Sequence, residues 1–188
     1  MMFLSGALQG SGGGFPLRPS DFKRDTGGHM AIITIKGYEV LIDDENIDKI
    51  TSRTWNKVSL GDKGRVYFWT ETGSKRTKRK YIYLHRMIMD VDDRKIDIDH
   101  INMNTLDNRK SNLRKCTRSQ NMANSGFKKN NTSGFKGVYW NKNAKKWVAQ
   151  ITHQRVNRLI GYYDDKILAH DAYAKEAKKL FGDFARTE

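Results

Sequence analysis

Cysteine is almost missing from this 188-residue chain. Cys116 stands alone, which excludes an internal disulfide framework and any multi-cysteine zinc site and suits a reducing cytoplasm. Proline is equally scarce, and both copies, Pro16 and Pro19, fall in the first 29 residues. No run approaches the roughly 20 apolar residues of a membrane span, and no basic helix carries a bulky apolar face, so membrane binding is not expected. Acid is short as well. The 21 Asp and Glu face 35 Lys and Arg, for a net charge of +14 and a pI near 9.9. Such a field attracts polyanions and favours phosphate neutralisation with counterion release, which makes nucleic acid the leading partner.

The length suits one ordinary domain or two small ones. Residues 1–29 hold many of the glycines, show no sustained periodicity and read as a linker or added leader. A secretory signal fits poorly, because the apolar patch Met1–Leu8 is short, lacks a basic lead-in and runs into glycines. Gly28-His29-Met30 reads as a cloning junction, with the natural chain starting near Met30.

From Ala31 the pattern turns globular. AIITIKGYEVLID is rich in β-branched residues with a turn at Gly37, and RVYFWTET and KYIYLHRMIM alternate apolar and polar residues, so a small antiparallel β-layer is expected. The last of these strands carries His85, read as a packed residue rather than a ligand. The tip between the last two, GSKRTKRK, gathers Lys75, Arg76, Lys78, Arg79 and Lys80. It serves either as a solvated charge run that keeps an edge soluble or as a finger on phosphates.

The most informative stretch is IDHINMNTLDNRKSNLRKCTRSQN, residues 98–121. Asp99 beside His100 pairs a hard metal ligand with a general base, as phosphodiester hydrolysis requires. Lys95–Asp99 is expected as a short strand, 101–111 as a polar loop, Asn112–Cys116 as a second strand, and Thr117–Asn124 as a helix capped by Thr117. That arrangement allows His100 and Asn121 to converge on one ion, although spacing alone does not require it. Asp92, Asp93 and Asp97 read as turn capping rather than an extended metal site. Asn108 and Arg109 read equally as loop structure or as a phosphate clamp.

These residues resemble the HNH, or ββα-metal, nuclease motif in the form found in phage and intron-encoded homing endonucleases, over about residues 81–124. The resemblance implies His100 as the base that activates water, Asp99 as a metal ligand, Asn112 as a brace for the loop and Asn121 as the second protein ligand. Asn121 replaces the histidine of many relatives. An amide oxygen there makes one Mg²⁺ or Mn²⁺ per site more fitting than Zn²⁺. Relatives often carry Gly where Met103 stands. A positive φ in that turn is expected to fall on Asn102 or Asn104.

After a polar hinge at 125–132, the chain reads as three strands, Lys136–Asn141, Lys146–Gln154 and Asn157–Tyr163, then a helix capped by Asp165 and running to about Leu180. Ala169, Ala172, Tyr173, Ala177, Leu180 and Phe181 fall on one face of that helix. Residues 126–188 carry 13 Lys and Arg against 6 Asp and Glu, enough to hold DNA. Lys175, Lys178 and Lys179 read as a solvated helix face. The motifs GVYW (137–140), KWVAQI (146–151), LIGYYDD (159–165) and AHDAYAKEA (169–177), with Phe184, are similar to the plant ethylene-response-factor (Apetala-type) DNA-binding domain, which also accompanies phage HNH nucleases. The resemblance implies a sheet lying in the major groove. Lys136, Tyr139, Trp140, Lys146, Trp147, Gln150, His153 and Arg155 stand at its reading positions, and Gln suits adenine while Lys or Arg suits guanine. The aromatics read as partly packed, Trp147 more than Trp140.

The fold expected is therefore α+β. A small β-layer leads into a ββα nuclease motif (domain 30–124, core about 95–124), then a three-stranded antiparallel sheet packs on one helix (133–188). The function expected is a metal-dependent endonuclease of homing type that nicks double-stranded DNA, monomeric and acting in a bacterial or phage-infected cytoplasm. The alternatives are a sequence-specific DNA-binding protein with an inactive centre, an RNA nuclease or binder, and a structural phage protein.

Overall fold

A computed structural model describes residue 17 and residues 21–24, 29–60, 65–73, 79–126 and 130–187. The chain is an α+β protein of small antiparallel sheets and short helices, and it divides into two compact units.

The first unit comprises residues 1–88 with 105–110. β1 (Phe22–Arg24), β2 (Met30–Ile35) and β3 (Tyr38–Asp43) form one sheet in that order. The hairpin between β2 and β3 turns at Lys36 and Gly37, both with positive φ, the backbone that matches strand twist in a two-residue turn. After α1 (Ile47–Thr51), β4 (Asn56–Leu60), β5 (Arg65–Thr72) and β6 (Lys80–Tyr83) make a second sheet. Ile33, Ile35, Val40, Ile42, Ile50 and Phe68 are fully buried. Each contributes about 1.5–3 kcal/mol by leaving water. The segment expected to be one strand through KYIYLHRMIM breaks after Tyr83. Leu84–Ile88 is a helical turn, α2, which buries Leu84, Met87 and Ile88 at i, i+3, i+4, and it places His85 on a helix instead of a strand. His85 packs against Tyr67 and Tyr83.

Residues 105–110 complete this unit as a structural loop. The Leu41 N–H donates to the Leu106 carbonyl (2.9 Å), and the Asn108 N–H donates to the Leu41 carbonyl (2.8 Å). Buried Asn108 also donates to the Thr105 carbonyl (3.1 Å). Arg109 makes a bidentate pair with Asp107 (2.8 and 2.7 Å), which raises the guanidinium pKa further. The loop reading of Asn108 and Arg109 is the one the geometry supports.

The second unit comprises 89–104 with 111–188. β7 (Asp97–His100) and β8 (Leu113–Cys116) form a hairpin, followed by α3 (Arg118–Asn124). Thr117 and Gln120 form a reciprocal capping box at the α3 N-terminus, satisfying two backbone donors that the helix itself leaves open. β9 (Val138–Asn141), β10 (Lys146–His153) and β11 (Val156–Tyr163) make a sheet of order β11-β10-β9, with a bulge at Ala149/Gln150. α4 (Lys166–Phe181) starts on Asp165, which accepts the Ile167 and Leu168 N–H groups.

Val138, Ala149 and Ile151 from the sheet pack on Ala169, Tyr173, Ala177 and Phe181 from α4. Only glycine fits at position 137: φ is +71°, and a Cβ would run into the Tyr173 ring and the Gln150 carbonyl. Ala123 of α3 belongs to this same core, so the compact division does not fall at the expected hinge of 125–132. Lys136 strengthens that connection. Its ammonium, expected to read bases, turns instead to the Met122, Ala123 and Ser125 carbonyls (3.2, 2.5 and 2.6 Å) and closes the C-terminal end of α3.

Candidate active site

The site is built where α3 lies against the β7–β8 hairpin. Asp93 shapes the approach: its Oδ1 accepts the Lys95 N–H (2.8 Å) and its carbonyl accepts the Ile96 N–H (3.1 Å), a turn that launches β7. Alternation along β7 then sends Asp97 and Asp99 to one side. Asn121 and Asn124, three apart on α3, meet them. Asn121 Nδ2 donates to Asp97 Oδ2 (3.0 Å), and Asn124 Nδ2 donates to Asp99 Oδ1 (2.9 Å). The i, i+2 step of a strand is about 6.6 Å and the i, i+3 rise of a helix about 4.5 Å, close enough for side chains to bridge both pairs.

Each carboxylate also has a guanidinium. Arg118 reaches Asp97 at 3.3 Å, in solvent. Arg114, facing Asp99 across the hairpin, holds Asp99 Oδ2 through Nε and Nη2, both at 2.9 Å. This second pair is secluded, with Asp99 5% exposed and the Arg114 side chain 17% exposed. Arg114 is itself anchored: its Nη1 donates to the Asp183 carbonyl (2.9 Å), and the guanidinium lies over the Phe184 ring at 3.9 Å. The two carboxylates and burial also push the neighbouring Cys116 thiol up to about 12, burial being the larger cause.

His100 is buried at the end of β7, where its carbonyl accepts the Met103 N–H (2.9 Å) and Asn124 Nδ2 (3.0 Å). The loop after it is pinned by Asn112, whose Oδ1 accepts the Asn102 N–H (3.0 Å) and whose carbonyl accepts the Ile101 N–H (2.9 Å). The positive φ of that loop falls on Met103 (62°), not on Asn102 or Asn104 as expected. Asn102 is occupied otherwise, because its side chain accepts the Asn104 N–H (2.9 Å) and fixes an Asx turn that leaves the left-handed position to the residue between.

Among the residues read from the sequence, Asp99, His100 and Asn112 therefore share one hairpin. Asn121 lies on the adjoining helix, but its amide nitrogen is bonded to Asp97, and the helix amide hydrogen-bonded to Asp99 is Asn124. Asn124 and Arg114 were missed. Asn124 was legible in principle as the next residue on the Asn121 face, and Arg114 as the cross-strand partner of Asp99 in the expected hairpin.

Among the described residues no cluster of three or more His, Cys, Asp or Glu side chains is placed to hold a metal ion, so an ion here would rest on Asp99 with amide oxygen, phosphate and water. A carboxylate offers about four lone-pair sites. Arg114 takes two donations on Asp99 Oδ2 and Asn124 one on Oδ1, leaving Oδ1 able to coordinate. With the Asn121 nitrogen directed to Asp97, the oxygen is the amide atom left for an ion.

The expected DNA-contacting residues sort less evenly. Lys75, Arg76 and Lys78 lie outside the described residues, and Arg79 pairs with Glu71 (3.0 Å) in solvent. In the C-terminal sheet, Tyr139, Lys146 and Gln150 share the face away from α4 with Val148, Leu159 and Tyr162. Trp140 and Trp147 are cross-strand partners on the α4 side, edge to face at 5.3 Å, with Trp140 the more exposed. His153 packs edge-on against Phe181 on that side too (5.6 Å), and Lys146 pairs with Asp164 (3.1 Å). Gln154 and Arg155 form the β10–β11 turn, both with positive φ. Lys136 is committed to α3. Burial, with Arg186 nearby, lowers its pKa to about 8.

Among the described residues no helix is long and apolar enough to cross a membrane. The family described as HNH endonuclease matches residues 91–123, a span that begins just before β7 and ends within α3. Protein 3.8 of Escherichia phage T7 is 32% identical over 90 residues, which cover 47% of this chain and 73% of that protein. No solved structure matches the chain. With its hairpin and all but the last residue of α3 inside the matched span and a phage relative covered over most of its length, the chain belongs to the HNH endonuclease family.

Proposed function

We propose that the protein is a divalent-metal-dependent endonuclease of the phage homing type, which nicks double-stranded DNA as a monomer in the cytoplasm of the host bacterium. The observation that carries this reading is the buried Asp99 carboxylate, oriented by Arg114 and Asn124 immediately beside His100. Asp99 and the Asn121 amide oxygen would hold one Mg²⁺ or Mn²⁺. When bound, the ion supplies charge to the scissile phosphate and to the departing 3′-oxygen.

The chain's own residues do the rest. His100 accepts a proton from the attacking water, and Asn112 holds the loop that follows His100 in one conformation. Arg114 and Asn124 hold the Asp99 carboxylate in one orientation, so that no reorganisation is needed when the phosphate arrives. Tyr139, Lys146 and Gln150 on one face of the C-terminal sheet, with Arg155 at its turn, support a recognition role for 133–188 in the manner of an Apetala-type domain. Phosphate contacts by the basic hairpin would set register, and the sheet would read bases.

The Arg114–Asp99 ion pair also favours one rival, a DNA-binding protein with a silent centre, since a guanidinium already neutralises the carboxylate. Supercoiled plasmid incubated with Mg²⁺ or EDTA, beside His100→Ala, decides between them. Relaxed circles that require both metal and His100 support the nuclease. Salt-sensitive binding without product supports the rival.

A further inference from the structure

The sheet β4-β5-β6 has one face that neither the catalytic reading nor the C-terminal reading uses. Val66, Phe68 and Thr70 of β5 point into the core of their unit and are buried. The alternate residues, Tyr67 and Trp69, face the other way, and strand register sets Trp69 opposite Tyr83 and Glu71 opposite Tyr81. Tyr67 meets Tyr83 edge-on at 6.3 Å, His85 stacks on Tyr83 at 5.7 Å, and Trp69 meets Tyr81 edge-on at 5.0 Å. Five rings thus make one patch, with Val58 of β4 beside Tyr67 and Tyr81 63% exposed. Cross-strand packing explains the paired rings, and it leaves the Tyr81 ring open to solvent at the end of a contiguous aromatic patch.

Charge identifies the occupant. The segment 65–86, which contains β5 and β6, carries seven Lys and Arg against the single acid Glu71, and that acid is paired with Arg79. Aromatic rings in a segment this basic suit a ligand with flat π-faces on a polyanionic backbone. A duplex hides its base faces by stacking them internally, whereas an unpaired strand offers them. We propose that this face is a base-stacking platform for single-stranded DNA, such as the strand freed beside a nick. Tyr81 and Trp69 are its principal contacts, and Arg65 lies on the same face toward the β4 side. The proposal rests on the DNA endonuclease reading for the identity of its ligand.

The test is fluorescence anisotropy of a labelled 12-nucleotide oligo-dT in EDTA, where no cleavage occurs, beside an abasic 12-mer with the same phosphates and an oligo-U of equal length. The full chain should bind oligo-dT more tightly than the abasic strand. Tyr81→Ala and Trp69→Ala should each weaken oligo-dT binding about 5- to 100-fold, with little change on the abasic strand. Tyr81→Trp should restore binding. Tyr81 is exposed enough that its variants keep the fold, so the test survives if Trp69→Ala does not fold. Equal binding of oligo-dT and abasic strand, or equal losses on both, overturns stacking. A response confined to oligo-U overturns DNA in favour of RNA. Plasmid cutting measured in parallel keeps the two readings apart: a wild type that stacks oligo-dT but cuts nothing loses the endonuclease reading and keeps this one.

Discussion

Replacing Arg114 with Met keeps most of the side-chain volume and removes the charge. Asp99, 5% exposed, then retains only the Asn124 amide as a direct partner. Removing one member of a buried pair costs about 3–5 kcal/mol, because the remaining charge stays desolvated. The lost stack on Phe184 adds about 0.5–2 kcal/mol. Arg114→Met should therefore lower the unfolding free energy in urea, without metal, by about 3.5–7 kcal/mol. Asp99→Asn in the same chain removes the stranded charge and should return about 2 kcal/mol or more of that loss, a coupling that only directly interacting side chains show. A loss under about 1 kcal/mol for Arg114→Met, with no recovery in the double variant, would refute the view that Asp99 and Arg114 form a coupled, secluded pair.

Further outcomes follow from three residues. Lys136→Met should cost about 1–3 kcal/mol in urea by uncovering the last carbonyls of α3, and should leave DNA sequence preference unchanged, whereas a base reader would alter it. The Lys136 pKa of about 8 lies below its value in the unfolded chain, so its contribution to stability rises as pH climbs from about 8 toward about 10.5 and is lost again on descent; unfolding of Lys136→Met across that window should lack this rise. Met103→Gly should relieve the left-handed strain and stabilise by up to about 1 kcal/mol in thermal melts, while Met103→Val, β-branched at φ > 0, should destabilise. Cys116, buried and with its pKa pushed up to about 12, should resist thiol reagents at pH 8 at any rate faster than unfolding, and rapid labelling of folded protein would contradict its burial.

The central hairpin and helix were readable because their signals are local. The Thr117 cap with Gln120 three residues on, the polar loop and the short apolar strands each specify structure within a few residues, and β7, β8 and α3 form within one or two residues of where the pattern puts them. The three C-terminal strands and α4 were readable for the same reason. What escaped depends on distant partners or on competition between signals. KYIYLHRMIM carries period-2 and period-3.6 patterns at once, and burial of Leu84, Met87 and Ile88 decides for a helix after Tyr83. Lys136 reads as a basic residue on a DNA-facing strand until α3 presents it with open carbonyls from 11 to 14 residues earlier. The choice between Asn121 and Asn124 as partner of Asp99 depends on the rotation of α3 over β7, which spacing does not encode.

Ala123 sits in the core built by α4 and the C-terminal sheet, while its neighbour Asn124 grips Asp99. The consequence concerns inheritance. A recombination joint placed in the polar stretch at 125–132 would look harmless in sequence, yet it would part Ala123 from Tyr173, Lys136 from its carbonyls, and Arg114 from Asp183 and Phe184. A lineage that exchanged its C-terminal half there would inherit α3 without its footing. Successful exchanges would need to carry α3 and β8 along with the sheet, or to regain the Arg114 anchor by later substitution.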